Sequence, residues 1–136
     1  LIFDRIAVKE GLTMIRLKRA YEKPSPEDGF RVLVERFWPR DLDEKHTKLD
    51  LWLKEVAPST DLHQAFGENP GPERWEEFRR LYSNELKDKH RAIKLLREKS
   101  REGLLTLVHA AHNPEHSAAL VLKAFLEGSG GSTEVP

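Results

Sequence analysis

Leu104-Leu105-Thr106-Leu107-Val108, set directly behind Gly103, is the stretch on which the fold turns. An uncharged, almost wholly apolar run of five that follows a helix-stopping glycine has the pattern of a strand covered on both faces. Such strands lie in the middle of parallel sheets. Upstream of it, Ala92, Ile93, Leu95 and Leu96 alternate with Lys94, Arg97, Lys99 and Arg101 at helical spacing, so a helix leads into the strand. Before that helix, Trp75, Phe78, Leu81, Tyr82 and Leu86 make a second apolar stripe, with Pro72 in the first turn, where proline is tolerated. Downstream, Asn113-Pro114-Glu115 combines a capping side chain, an early proline and a first-turn acid. It predicts a last helix carrying Ala118, Val121, Leu122, Phe125 and Leu126 and ended by Gly128. Nearer the N-terminus, Ile15-Arg16-Leu17-Lys18-Arg19 alternates apolar and basic and reads as a short strand near an edge. Residues 22–29 form a proline-rich loop. Phe30 to Phe37 is dense in β-branched and aromatic residues and reads as a second strand stopped by Pro39. Leu49, Trp52, Leu53 and Val56 fall at i, i+3, i+4 and i+7 and predict a helix ended before Pro58. The order β, β, α, α, α, β, α specifies a three-layer α/β domain: a small, mainly parallel, Rossmann-like sheet flanked by about four helices. No fourth strand is visible in the pattern.

With 136 residues, 23 basic and 23 acidic side chains and no cysteine, the chain suits one domain that buries a core without disulfides or metal. A cysteine nucleophile and a disulfide scaffold are excluded. A formal net charge of zero argues against a protein that coats nucleic acid or anionic lipid. No run approaches the roughly 18 apolar residues of a membrane span, and no signal-peptide centre is present, so the chain reads as cytoplasmic. The single methionine is Met14, and Lys9-Glu10-Gly11 can be encoded by a ribosome-binding sequence just upstream of it. Residues 1–13 therefore read as a leader outside the native protein, the alternative being an extension with an edge strand through Leu1, Phe3 and Ile6. Residues 14–127 form the single α/β domain, and the Gly/Ser-rich residues 128–136 a flexible tail.

Parallel sheets bind ligands beyond the carboxyl ends of their strands. Arg19 and Tyr21 follow the first strand, Arg36, Trp38 and Arg40 the second, and His109, His112 and His116 the central one. Arginine forks hold phosphate or carboxylate through paired hydrogen bonds, and an indole offers a flat wall. These residues predict a pocket for a small anionic ligand, phosphate-bearing or nucleotide-like. Arg36 and Arg40 would hold the anion, Trp38 would form a wall, and Arg19 and Tyr21 would assist. His116 and His109 would act as acid/base or hydrogen-bonding groups. The competing account has Trp38 filling core and the arginines paired with Glu35, Asp41, Asp43 or Glu44. His109-x-x-His112-x-x-x-His116 has the residue types of metal ligands, but His112 precedes the helix cap and need not share a face with His116, so no metal is assigned. There is no Walker loop, no G-x-G-x-x-G and no G-x-S-x-G elbow, and no cofactor is assigned. Whether the pocket is catalytic stays open. The alternative function is a nucleic-acid-associated or regulatory interaction protein using Lys87, Lys89, Arg91, Lys94, Arg97 and Arg101, a face diluted by Glu85, Asp88, Glu98 and Glu102.

The string from Arg31 to Arg40, Leu51-Trp52-Leu53-Lys54-Glu55-Val56-Ala57-Pro58-Ser59-Thr60, residues 72–82, and Thr106 to Ala111 followed by Glu115-His116 together resemble the domain of unknown function 488 family, in its short YeaO-like branch. The resemblance covers residues 14–127. It implies a small cytosolic protein with a Rossmann-like, partly parallel sheet, and it implies no established activity. Glu35 and Arg36 match the acid and arginine of the branch's second-strand motif, and Trp38, Pro39, Arg40 and His116 fit as well. Longer relatives carry cysteines near the end of the last strand. This chain has His109, Ala110 and Glu115 there, so thiol chemistry does not transfer. Some relatives are labelled transcriptional regulators, but no helix-turn-helix with a basic recognition helix is visible.

Overall fold

A computed structural model describes residues 14–67 and 69–129 of the chain. The readings made for residues 1–13, and for residues 130–136 of the tail, lie outside the described residues. Four strands, β1 (Ile15–Arg19), β2 (Phe30–Leu33), β3 (Leu51–Trp52) and β4 (Leu105–His109), form one sheet in the order β1-β4-β2-β3. All neighbours are parallel. β4 is central as expected, and all five of its residues are buried. β1 occupies a border of the sheet. β2 follows directly on Gly29, whose φ of 68° and contact with Leu104 leave no room for a side chain. A Cβ there would lie 2.2 Å from the Leu104 carbonyl oxygen, which the Phe30 N–H reaches at 3.0 Å.

One face of the sheet carries the main core. Val32, Val34, Leu105 and Leu107 pack under α2 (Thr60–Phe66), α3 (Trp75–Leu86), α4 (His90–Glu102) and α5 (Ala118–Ala124), with Phe78, Tyr82, Leu96 and Leu122 almost wholly buried. Each such side chain contributes roughly 1.5–3 kcal/mol on burial. The opposite face is covered by a thinner layer, the chain between β1 and β3 with its four-residue α1 (Glu44–Thr47). There Leu33, Val108 and Ala20 meet Trp38, Leu42, Leu49 and Trp52. Beside this smaller cluster Asp28 is fully buried among cations, receiving bonds from Arg31 Nη1 (2.7 Å), Arg16 Nη2 (2.8 Å), Lys18 Nζ (3.0 Å) and the Ser25 N–H (3.0 Å). Burial alone would raise its pKa, but the Ser25 N–H, Lys18 and Arg31 outweigh that and hold the carboxyl at about 2.

Several expectations are corrected. The stripe Leu49, Trp52, Leu53, Val56 is not one helix: α1 ends before Lys48, which takes a left-handed φ of 50°, and the fourth strand β3 follows. Leu49 and Trp52 enter the smaller cluster while Leu53 and Val56 enter the main core, so two half-stripes on different cores together produce the spacing that reads as helical. The second strand ends at Leu33 and not at Phe37. Val34 N–H still donates to Val108 O (3.0 Å), after which the chain leaves the sheet. The segment Thr60–Phe66, to which the pattern assigns no element, is a helix capped by Ser59, whose hydroxyl accepts from the Leu62 N–H at 3.1 Å. At the last helix, Asn113 caps only a short 3-10 turn, Pro114–His116, and Ser117 caps α5 itself. Helical structure then passes Gly128 to Ser129 in a wide π-type turn. Among the described residues, no helix is long and apolar enough to cross a membrane.

Candidate functional site

Just beyond the carboxyl ends of β1, β2 and β4 lies a hollow of about 730 Å³. Arg19, Tyr21, Arg36, Trp38 and Arg40 all line it, so two separate segments, one after β1 and one after β2, bring guanidinium, phenol and indole groups to one place. Arg36 is reached through the turn that leaves β2. Its Nε donates to Pro58 O (2.9 Å) and its Nη2 to Ala57 O (3.2 Å). That occupies the side-on edge of the guanidinium and leaves Nη1, on the end-on edge, without a hydrogen bond among the described residues. Arg19 is held in the same way, with Nε donating to Ala111 O (3.0 Å), Nη2 beside His112 Nδ1 (3.4 Å), and Cζ 5.2 Å over the Tyr21 ring. Tyr21 in turn donates its hydroxyl to Arg40 O at 2.7 Å. The Arg40 side chain is exposed at the mouth. Two arginines are thus held by backbone carbonyls, and the third is exposed.

Trp38 divides its role. Its Nε1 donates to Leu42 O (3.0 Å) and its ring meets Trp52 edge-on at 5.3 Å, so the indole belongs to the smaller core while one side faces the hollow. The carboxylates at the site are Glu35 and Asp41. Glu35 Oε2 accepts from the Ala110 N–H (2.9 Å), tying the turn after β2 to the end of β4.

The two histidines expected to do acid/base work do not line the hollow. His109 is buried at the end of β4, and its Nδ1 accepts from the Ala111 N–H at 3.1 Å. Burial, and then the charge of Arg19, pull its pKa down to about 4, so at neutral pH it is an uncharged imidazole whose Nδ1 is already engaged. It faces a separate void of about 40 Å³ that shares Glu35, Pro58 and His63 with the hollow. His116 packs against Trp75, ring centroids 5.0 Å apart, on the helical side of the domain. His112 is exposed beside Arg19. The three histidines therefore diverge, and among the described residues no group of His, Asp and Glu is arranged to hold a metal ion.

Three contributors escape the sequence reading. His63, on the unexpected helix α2, lines the hollow and meets Phe37 edge-on at 6.4 Å. Phe37, expected inside a strand, is 63% exposed at the rim. Asn69 braces the loop after β4 from outside: its Oδ1 accepts from the N–H groups of His112 (3.0 Å) and Asn113 (3.1 Å), and its Nδ2 donates to Asn113 O (3.0 Å) and His116 O (3.1 Å). An asparagine next to Pro70 and Gly71 reads as turn chemistry, and only its partners 43 and more residues away reveal the brace. Of the six basic residues of the alternative surface, four lie together and at least one does not. Lys89 is turned to the Glu55 and Ala57 carbonyls at 2.6 and 2.9 Å, whereas Lys87, Lys94, Arg97 and Arg101 border a different groove.

A family model described as the inactive DUF488-N3 subclade matches residues 14–134. An uncharacterised protein of Mycobacterium tuberculosis H37Rv is 37% identical over 116 residues, covering 85% of this chain and 96% of its own length. The uncharacterised protein YeaO of Escherichia coli K12 is 38% identical over 113 residues, covering 82% of this chain and 96% of its own length. No solved structure matches the chain.

Proposed function

The chain belongs to the DUF488 family, in the subclade described as inactive DUF488-N3, and on that premise we propose that the hollow binds a small phosphate-bearing, nucleotide-like ligand without turning it over. The observation that carries the reading is the meeting of Arg19, Arg36 and Arg40 in one cavity with aromatic walls. Two of these guanidinium groups are already oriented by carbonyls, so an anion arriving at their free edges costs little further ordering. The exposed rings of Phe37 and Tyr21, 63% and 44% accessible, stand beside them as surfaces for a base or other flat group. Binding without reaction is supported by the engaged, neutral state of His109, by the position of His116 against Trp75, and by the absence of any cysteine. The cysteine-free composition also supports a cytoplasmic setting.

The test is calorimetric titration, with thermal-shift measurements beside it, using inorganic phosphate and nucleoside mono-, di- and triphosphates. A saturable heat and a raised Tm are expected for at least one probe. Arg40→Met should weaken that binding roughly tenfold or more, the loss of one charge-assisted contact, while the unliganded protein melts as before. If no phosphate-bearing probe shifts the Tm, or Arg40→Met leaves affinity untouched, the reading fails.

A further inference from the structure

A second and larger concavity, about 1080 Å³, lies between α3, α4 and α5. Its floor is apolar, formed by Trp75, Leu86, Ile93, Leu120, Val121 and Phe125. Its rim is basic. His90, Lys94, Arg97 and Arg101 follow one another three or four residues apart along one face of α4, with Lys87 just before it and Arg79 on α3 adding two more basic groups. Glu98 is the single acid among the lining residues. Arg97 is partly spent on Phe125 O (3.0 Å), and Arg79 on Glu76 (2.6 Å). The side chains of Lys87, Lys94 and Arg101 make no hydrogen bond or ion pair among the described residues.

We propose that this groove docks an amphipathic helix with acidic flanks, supplied by a protein partner. The apolar floor calls for a ligand with an apolar stripe, and the uncompensated cations along both its length and its rim call for carboxylates beside that stripe. The dimensions agree. The basic ladder on α4 from His90 to Arg101 runs roughly 16 Å, long enough to lie beside about three turns of a bound helix. A nucleic acid would answer the cations and leave the floor uncovered. A second copy of this chain offers no matching element among the described residues, because the water-facing side of α3 mixes Glu76 and Glu77 with Arg79 and Arg80, and that of α4 is itself basic.

The test uses the full chain and a fluorescently labelled 16-residue peptide with leucines at helical spacing and glutamates elsewhere. Anisotropy should show saturable binding that weakens with salt, and amide NMR shifts should map to α3, α4 and α5 and spare the arginine-lined hollow. The double variant Lys94→Glu with Arg101→Glu, both exposed positions, should lose tenfold or more in affinity while melting like the parent. A scrambled peptide of equal charge should not bind. The proposal is overturned by any of the following: no binding, equal binding of the scrambled peptide, shifts confined to the hollow, or an unaffected double variant. It is equally overturned by tighter binding of a charge-matched oligonucleotide or of anionic phospholipid vesicles, and by peptide binding that appears only once residues 130–136 are removed.

Discussion

Arg36→Met separates the two tasks that the guanidinium performs. In the folded protein, Arg36 donates to Pro58 O and Ala57 O, the carbonyls that lead into the cap of α2. Ala57 O keeps a second donor, Lys89 Nζ at 2.9 Å, but Pro58 O has no other among the described residues. Methionine fills similar space and donates nothing. One part-buried carbonyl is therefore orphaned, and a charge-assisted bond is lost, for a cost of about 2 kcal/mol. For a domain of this size, that lowers the Tm by roughly 6–10 °C. Differential scanning fluorimetry and urea midpoints on the same samples give the number. Arg40→Met is the control, because its exposed side chain should melt within about 1 °C of the parent. Both variants should lose the phosphate-induced rise in Tm. An Arg36→Met protein that melts like the parent would refute the claim that backbone carbonyls orient this arginine, and with it the pre-set geometry of the anion site.

Gly29→Ala should cost about 3 kcal/mol or more, measured by urea unfolding, because the added methyl meets the Leu104 carbonyl in a backbone region closed to other residues; a loss under 1 kcal/mol would show that β2 can shift away. Stability should also depend on pH in two windows. His109 is held at about 4 against an ordinary 6.5, so the unfolded chain binds its proton first; the stabilisation is complete above pH 6.5 and about 3 kcal/mol of it is lost as pH falls through 4. Asp28, held at about 2 against 3.8, adds a further loss between about pH 4 and 2. Urea midpoints from pH 7 to pH 3, with an assigned imidazole NMR titration, check this, and a His109 signal that titrates near 6.5 would contradict its burial.

Much of the architecture is legible because each long element obeys a single period against a single core. β4 announces itself as an unbroken apolar run because helices cover one side of it and the Trp38 cluster the other. α3 and α4 keep their stripes for three turns and more. Legibility fails where the chain crosses from one core to the other. Leu49 and Trp52 belong to the smaller cluster and Leu53 and Val56 to the larger, and a one-dimensional pattern cannot tell two half-stripes from one. α2 fails for a different reason: Leu62 and Phe66 are its only large apolar residues, and its cap is completed by Glu85, 26 residues away. At the site, the arginines and Trp38 are visible as types and by their place at strand ends, and the hollow does gather them. What sequence could not supply is how each fork is already occupied. The partners of Arg36 and Arg19 are carbonyls, which every residue possesses, so composition carries no trace of them. The same is true of Arg31, buried within β2 because Asp28 and the Thr47 carbonyl receive it at 2.7 Å each.

The brevity of β3 has a consequence for how the molecule behaves in a crowded solution. With two residues in the ladder, and Lys54 laid across the Trp52 ring at 4.4 Å, that margin offers too little aligned backbone for a stray extended segment to zip onto. Ribbon growth from one molecule to the next is therefore discouraged at this margin, beside the strongly apolar centre of the sheet.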